Sequence, residues 1–365
     1  MKRRILCLVV AVILLLTGCS WMDGNYVSVT PHQTQISGNQ SNSISASNYM
    51  QLRNALTALV QAGTETAVIH VAEYDQDLIS NAMESAVEYI CNTLPLGAYA
   101  VESFDYEIGS AGGQPAVSIE ISYIHGRSEI RKIQEVSDMD AAEAAIAKAL
   151  QQCDEGIVLQ VRQYTRRDLV QYVEDFAEEN PNLIMEIPQV AVGLYPELGT
   201  NRILEMKFTY ETSRDSLRSM QDQVRRVFAS AALYINQNDA QIQKYTQLYN
   251  FLMERFDYQI QTSITPSYSL LSHGVGDGKA FAEVYSAMCR QAGLECRVIS
   301  GTRSGEAWYW NLICVDGVYY HVDLLQSYQS GRFTMRMDWD MQNYVWDYSA
   351  YPQAGSLATE PAPTE

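Results

Sequence analysis

The side chains in this chain that could do chemistry are few. Its 365 residues include seven cysteines and five histidines. Catalysis by a thiol needs a cysteine of lowered pKa, a histidine as base, and a carboxylate to orient the histidine. Beyond Cys7 and Cys19, the thiols are Cys91, Cys153, Cys289, Cys296 and Cys314. An odd set at irregular spacing is neither a metal site nor a disulfide framework, and no cofactor or metal is expected. One bridge is open to an exported chain, but buried free thiols fit better. Cys296 and Cys314 in particular stand in apolar, strand-like contexts. His70 and His125 have no ligand-spaced companions. The remaining candidates cluster late in the chain: Asp277, Trp308, Tyr309, Trp310, and His321 two residues before Asp323. Asp277 opens a helical run, where a carboxylate either caps the helix or serves as base or nucleophile; the cap is the more common role.

The segments that carry these residues are SYSLLSHGVGDGKAFAEVYSAMCRQAGLECRVISG (267–301), EAWYWNLICVDGVYYHVDLL (306–325) and FTMRMDWDMQNYVWDYSAYP (333–352). Together they resemble the transglutaminase-like domain of the bacterial cysteine-protease and transglutaminase superfamily. The resemblance spans 239–352. It rests on the glycine-rich turn before AFAEVYSAM, on AGLECRVISG, on Trp-Asn followed by an Asp-Gly turn, and on YYHVD. It implies a papain-like α+β fold with a cysteine at the N-terminus of the central helix, where the helix dipole favours thiolate. A histidine and an aspartate on adjacent strands would complete the site. Carried over by motif, these three positions are Gly278, Trp308 and Asp323. Only the aspartate is present. No Cys or His lies within two positions of Gly278 or Trp308. Cys289 shares the helix but sits eleven residues on, about 16 Å along the axis. No catalytic residue is therefore expected. Asp277, Trp308, Tyr309, Trp310 and His321 remain as binding candidates, exposed aromatics being common in ligand grooves.

The elements that must position this half begin with the N-terminus. Lys2, Arg3 and Arg4 precede an apolar stretch from Ile5 to Leu16, which is shorter than a membrane span. Leu16-Thr17-Gly18-Cys19 then resembles the lipobox of bacterial lipoproteins. A signal peptide over 1–18, lipid on Cys19, and a polar tether over 19–47 are expected. A Pro/Thr/Glu tail over 353–365 is expected at the other end.

Between tether and motifs, the sequence repeats itself. TAVIHVAEY (66–74) and GIVLQVRQY (156–164) lie 90 positions apart, and each leads into an amphipathic helix. Turn-rich breaks and alternating strands follow, VSIEISYI (117–124) and RILEMKFTY (202–210). The helical runs Asp138–Cys153 and Ser213–Ile235 read as the closing helix of each copy. The expectation is an α+β chain: a tandem βαββα repeat domain over 48–238, then the transglutaminase-like domain.

The formal net charge is −18; loss of residues 1–18 removes three bases and no acid, leaving −21. Nucleic acid is excluded as a natural partner. The sequence reads as a membrane-anchored lipoprotein on the extracytoplasmic face. Its transglutaminase-like domain has lost two of three catalytic groups and binds or scaffolds an envelope protein, peptide or glycan. The alternative is an active hydrolase or transferase, working on cell-wall peptides or surface proteins through a non-standard nucleophile such as Asp277.

Overall fold

A computed structural model describes residues 44–258 and 266–355. The expected signal, Cys19 and most of the tether and tail lie outside those residues. The described body has an α+β architecture with three four-stranded sheets and one two-stranded sheet.

The first sheet forms from β1 (Ile44–Ser45), β2 (Thr66–His70), β3 (Val101–Ala111) and β4 (Gln114–Tyr123), in the order β1-β2-β4-β3. β1 runs parallel to β2, and the other pairs are antiparallel. Helices Tyr49–Ala62 and Ile79–Asn92 cover one face and bury Leu52, Leu56, Met83 and Ile90 against Ile69, Val117 and Ile119. Asn48 caps the first of them, its side chain accepting from the Gln51 N–H at 3.0 Å.

The second sheet has the same order and the same senses: β5 (Gln134–Asp138), β6 (Gly156–Gln163), β8 (Arg202–Thr209), β7 (Gln189–Tyr195). Here the expected phasing of the units needs correcting. Helix Met139–Gln151 does not close the first copy. It follows β5, which pairs in parallel with β6, so it opens the second sheet's unit as Tyr49–Ala62 opens the first. Ile44 to Gln134, Tyr49 to Met139, Thr66 to Gly156 and Ile79 to Leu169 are all offsets of 90. Each sheet is thus built β-α-β-α-β-β rather than βαββα, with a short edge strand the sequence reading passed over.

The closing helix expected at 213–235 forms as Arg214–Tyr234. Its buried stripe, Leu217, Met220, Val224 and Phe228, lies in the core of the C-terminal half, with Tyr245, Leu248, Phe281, Tyr285 and Val322. In that half, helix Gln241–Arg255 leads to β9 (Asp257–Tyr258), helix Pro266–His273, β10 (Val275–Gly276) and the central helix Gly278–Gln291. β11 (Cys296–Arg303), β12 (Glu306–Val315), β13 (Val318–Val322), helix Leu324–Gln329 and β14 (Tyr344–Trp346) follow. Their sheet has the order β13-β12-β11-β14 and is antiparallel throughout. Residues 280–289 of the central helix are all buried, because the sheet and the neighbouring helices pack around it.

Candidate functional site

Strand parity divides the C-terminal sheet into two faces. Asn311, Ile313, Val322 and Cys296 look toward the central helix, and the Asn311 amide donates to the Ala282 carbonyl at 2.8 Å. Trp308, Trp310, Leu312, His321 and Asp323 look the other way. There the segment from Met341 to Ala354 closes over them.

On that second face, the Trp308 indole N–H donates to Asp323 Oδ2 at 2.7 Å. The Tyr344 hydroxyl donates to the same oxygen at 2.7 Å. Asp323 Oδ1 accepts from the Gln326 N–H at 3.0 Å and so caps helix Leu324–Gln329. Burial, with Asp323 beside it, holds the Tyr344 phenol well above its ordinary pKa. The Arg303 guanidinium lies over both rings, 5.0 Å from Trp308 and 5.5 Å from Tyr344. Asp323 is a carboxylate with three donors, held rigidly. Its partner at 308 is an indole, which donates one hydrogen bond and accepts none. An imidazole there could take up a proton; an indole cannot.

Asp277 has extended backbone and caps the central helix, its Oδ1 accepting from the Ala280 N–H at 2.9 Å. Gly278 is the first helical residue. A Cβ built on it would meet Leu325 Cδ1 at 3.3 Å and nothing else within 4 Å among the described residues. Gly278 therefore sits against the residue two beyond Asp323, and no indole atom presses on it. The helix N-terminus points its N–H groups here; Asp277 engages one of them, and position 278 itself has no side chain.

The other candidates separate. Trp310 is fully buried, stacked edge-on against Tyr344 and Trp346, and donates to His321 Nδ1 at 3.0 Å. His321 is buried too, and its Nε2 lies 2.8 Å from Asp338 Oδ1. Because Nδ1 accepts, Nε2 carries the proton and donates it to Asp338. Burial pulls the His321 pKa below its usual value against the opposing pull of Asp338. Of the binding candidates, Trp310 and His321 are thus both buried, with residues of 333–355 packed over them. Tyr309 emerges on the opposite face of β12, where the Lys279 ammonium lies 5.5 Å from its ring. None of the described thiols stands at the start of the central helix. Burial pushes Cys91, Cys153, Cys289 and Cys314 upward, Cys289 most of all.

One group was missed by the sequence reading. Glu283 stands in the middle of the buried helix, 5% exposed. It accepts from the Ser267 hydroxyl through Oε2, while Oε1 has no hydrogen-bond partner among the described residues. Lys279 lies 3.7 Å from Oε1 and 2.5 Å from Glu178. Burial, outweighing Ser267 and Lys279, raises the Glu283 pKa to about 7. The available signal was an acid inside an unbroken apolar stretch, AFAEVY. No metal-binding cluster of His, Cys, Asp or Glu exists among the described residues.

Residues 229–324 match the model of the transglutaminase-like superfamily. The chain carries a transglutaminase-like domain. The match begins inside helix Arg214–Tyr234, in keeping with that helix's place in the C-terminal core. Among solved structures, a transglutaminase is 9% identical over 60% of this chain and 63% of its own, at a TM-score of 0.26. A protein from Cytophaga hutchinsonii described as a cysteine protease is 13% identical over 40% of this chain and 65% of its own, at 0.25. One from Parabacteroides distasonis described as a protease is 11% identical over 70% of this chain and 39% of its own, at 0.22. The chain spans less than two thirds of the length of each. A search among curated proteins returns no significant match.

Proposed function

We propose that this chain is a lipid-anchored envelope protein whose transglutaminase-like domain binds or scaffolds and does not cleave or cross-link. The observation that carries the reading is the bond from the Trp308 indole to Asp323. The family's chemistry needs a base between aspartate and nucleophile. Here the aspartate is engaged by a group that cannot accept a proton, and position 278 has no side chain. Asp277, the substitute considered from sequence, is occupied as a helix cap. No described helix is long and apolar enough to cross a membrane, so a membrane location rests on the Cys19 expectation.

Two experiments test this. Purified full-length protein is incubated with cell-wall peptides and with glutamine and lysine donor substrates, and released amine or ammonia is measured. No turnover is expected; turnover abolished by Asp277→Asn would overturn the reading. Fractionation of cells expressing Cys19→Ser should shift the protein out of the membrane pellet. Retention there would remove the anchor from the proposal.

A further inference from the structure

The face of the C-terminal sheet that looks toward the central helix opens into a cleft of about 500 Å³, between β11, β12 and helix Leu169–Glu179. Its lining includes Glu283, Lys279, Tyr309, Arg297 and Tyr351. The cations along it are already engaged. Lys279 pairs with Glu178, Arg297 with Glu295 at 3.0 Å, and Arg290 donates to the Glu179 carbonyl. The unmatched feature is an acceptor, Glu283 Oε1, buried and without a hydrogen bond among the described residues. A buried acceptor left unpaired is costly, and a ligand that supplies a donor there gains what the protein lacks.

The choice of donor is narrowed by Lys279. Its ammonium already stands 3.7 Å from Oε1, so a second cation entering at this point is repelled at close range. A neutral donor is not. Around it, Tyr309 and Tyr351 are both half-buried and line the cleft. An acceptor at the floor, ring surfaces on the wall and ammonium and guanidinium donors at the side match a ligand with many hydroxyls and an apolar ring face. From this juxtaposition we infer that the cleft between β11, β12 and helix Leu169–Glu179 binds an uncharged, hydroxyl-rich saccharide. One hydroxyl donates to Glu283 Oε1 beside Lys279, and a sugar face rests on Tyr309 or Tyr351. The inference rests on the binding reading above and names its ligand class; Glu283 and Tyr309 lie across the sheet from Trp308 and Asp323, while Tyr351 comes from the segment that covers the Trp308 face.

The full chain in detergent is titrated with cellotriose, maltotriose and tri-N-acetylglucosamine at millimolar concentration, following tyrosine and tryptophan fluorescence and ligand saturation-transfer signals. Cadaverine serves as the cationic control. At least one saccharide is expected to bind, and Glu283→Gln and Tyr351→Ala should each weaken it about tenfold, the loss of one charge-assisted or stacking contact. Glu283→Gln is nearly isosteric and removes a buried charge, so it should melt no lower than the parent chain, and Tyr351→Ala, which loses packing on the covered face, is titrated well below its own melting temperature. The inference is overturned if no saccharide binds, if binding is indifferent to both variants, or if cadaverine binds and the saccharides do not. Products in the same tubes would overturn the non-catalytic reading alone and leave the ligand assignment standing.

Discussion

The two faces of the β13-β12-β11-β14 sheet treat polar groups in opposite ways. On the face beneath residues 333–355, each polar group finds its partner: Trp308 and Tyr344 on Asp323, Trp310 on His321, His321 on Asp338. On the face toward the central helix, Glu283 and Asn311 each keep a buried oxygen unpaired among the described residues. A fully satisfied buried network fixes a structure. A half-satisfied one is tolerated where something else completes it. The polar groups around Asp323 satisfy one another, and the unpaired oxygens lie across the sheet.

That contrast can be broken most directly at Trp310. Trp310→Ala should cost about 3–5 kcal/mol, from lost packing and an unpaired His321 Nδ1. Urea unfolding would measure it, and a loss below about 1 kcal/mol would mean the covered face is not the tight core described. Next in size is Glu283. Its folded pKa of about 7 exceeds the unfolded value, so the native state binds a proton more readily. Stability therefore declines as pH rises from about 4.5 through about 7, by about 3 kcal/mol in total. Glu283→Gln should flatten that profile, which thermal melts between pH 5 and 8 would show; an unchanged slope would remove Glu283 as its source.

Smaller effects sharpen the other face. Trp308→Phe keeps most of the ring but takes one of three donors from Asp323, and should cost about 1–3 kcal/mol. No change on denaturation would reduce the indole bond to an incidental contact. The companion double variant Gly278→Cys with Trp308→His should yield a thiol that alkylates quickly near neutral pH, since the helix N-terminus and Asp323 remain in place. Slow alkylation, like that of a buried thiol, would argue that the three positions no longer form one site. The least effect is expected from His321. Its folded pKa is depressed, so the unfolded chain binds the extra proton and stability falls as pH drops below about 6.5. His321→Asn should abolish that acid-side slope in melts from pH 7 to 5.

Much of the α+β framework was legible because its signals are local. The 90-residue recurrence, and the helical run that opens at Asp277, follow from periodicity and capping. The phase of the repeat was not legible. Strands of two and five residues, Ile44–Ser45 and Gln134–Asp138, are too short to show alternation, and only their pairing with β2 and β6 reveals where each unit starts. At the site, the motif led to Trp308 and Asp323, which the structure joins directly. Parity along β12 also put Tyr309 opposite Trp308 and Trp310, a distinction lost by grouping the three as aromatics. That Trp310 and His321 are covered depends on a distant segment, through the His321–Arg336 bridge and the Ala354 N–H on Asp338. Glu283 was overlooked because an isolated acid in an apolar helix carries no motif.

The short edge strand β1 has a mechanical consequence. A pull on the chain ahead of residue 44 is delivered first to Ile44 and Ser45, which run parallel to Ile69 and His70, and to the Ala46 N–H on the His70 carbonyl at 2.9 Å. Parallel pairing loads these bonds in shear, together and along the strand. There are too few of them to resist for long, and behind them β2 is gripped along its whole length by β4. Tension applied at the proposed Cys19 anchor would release this one strand first and lengthen the chain by a few residues. The sheet it leaves behind would stay whole.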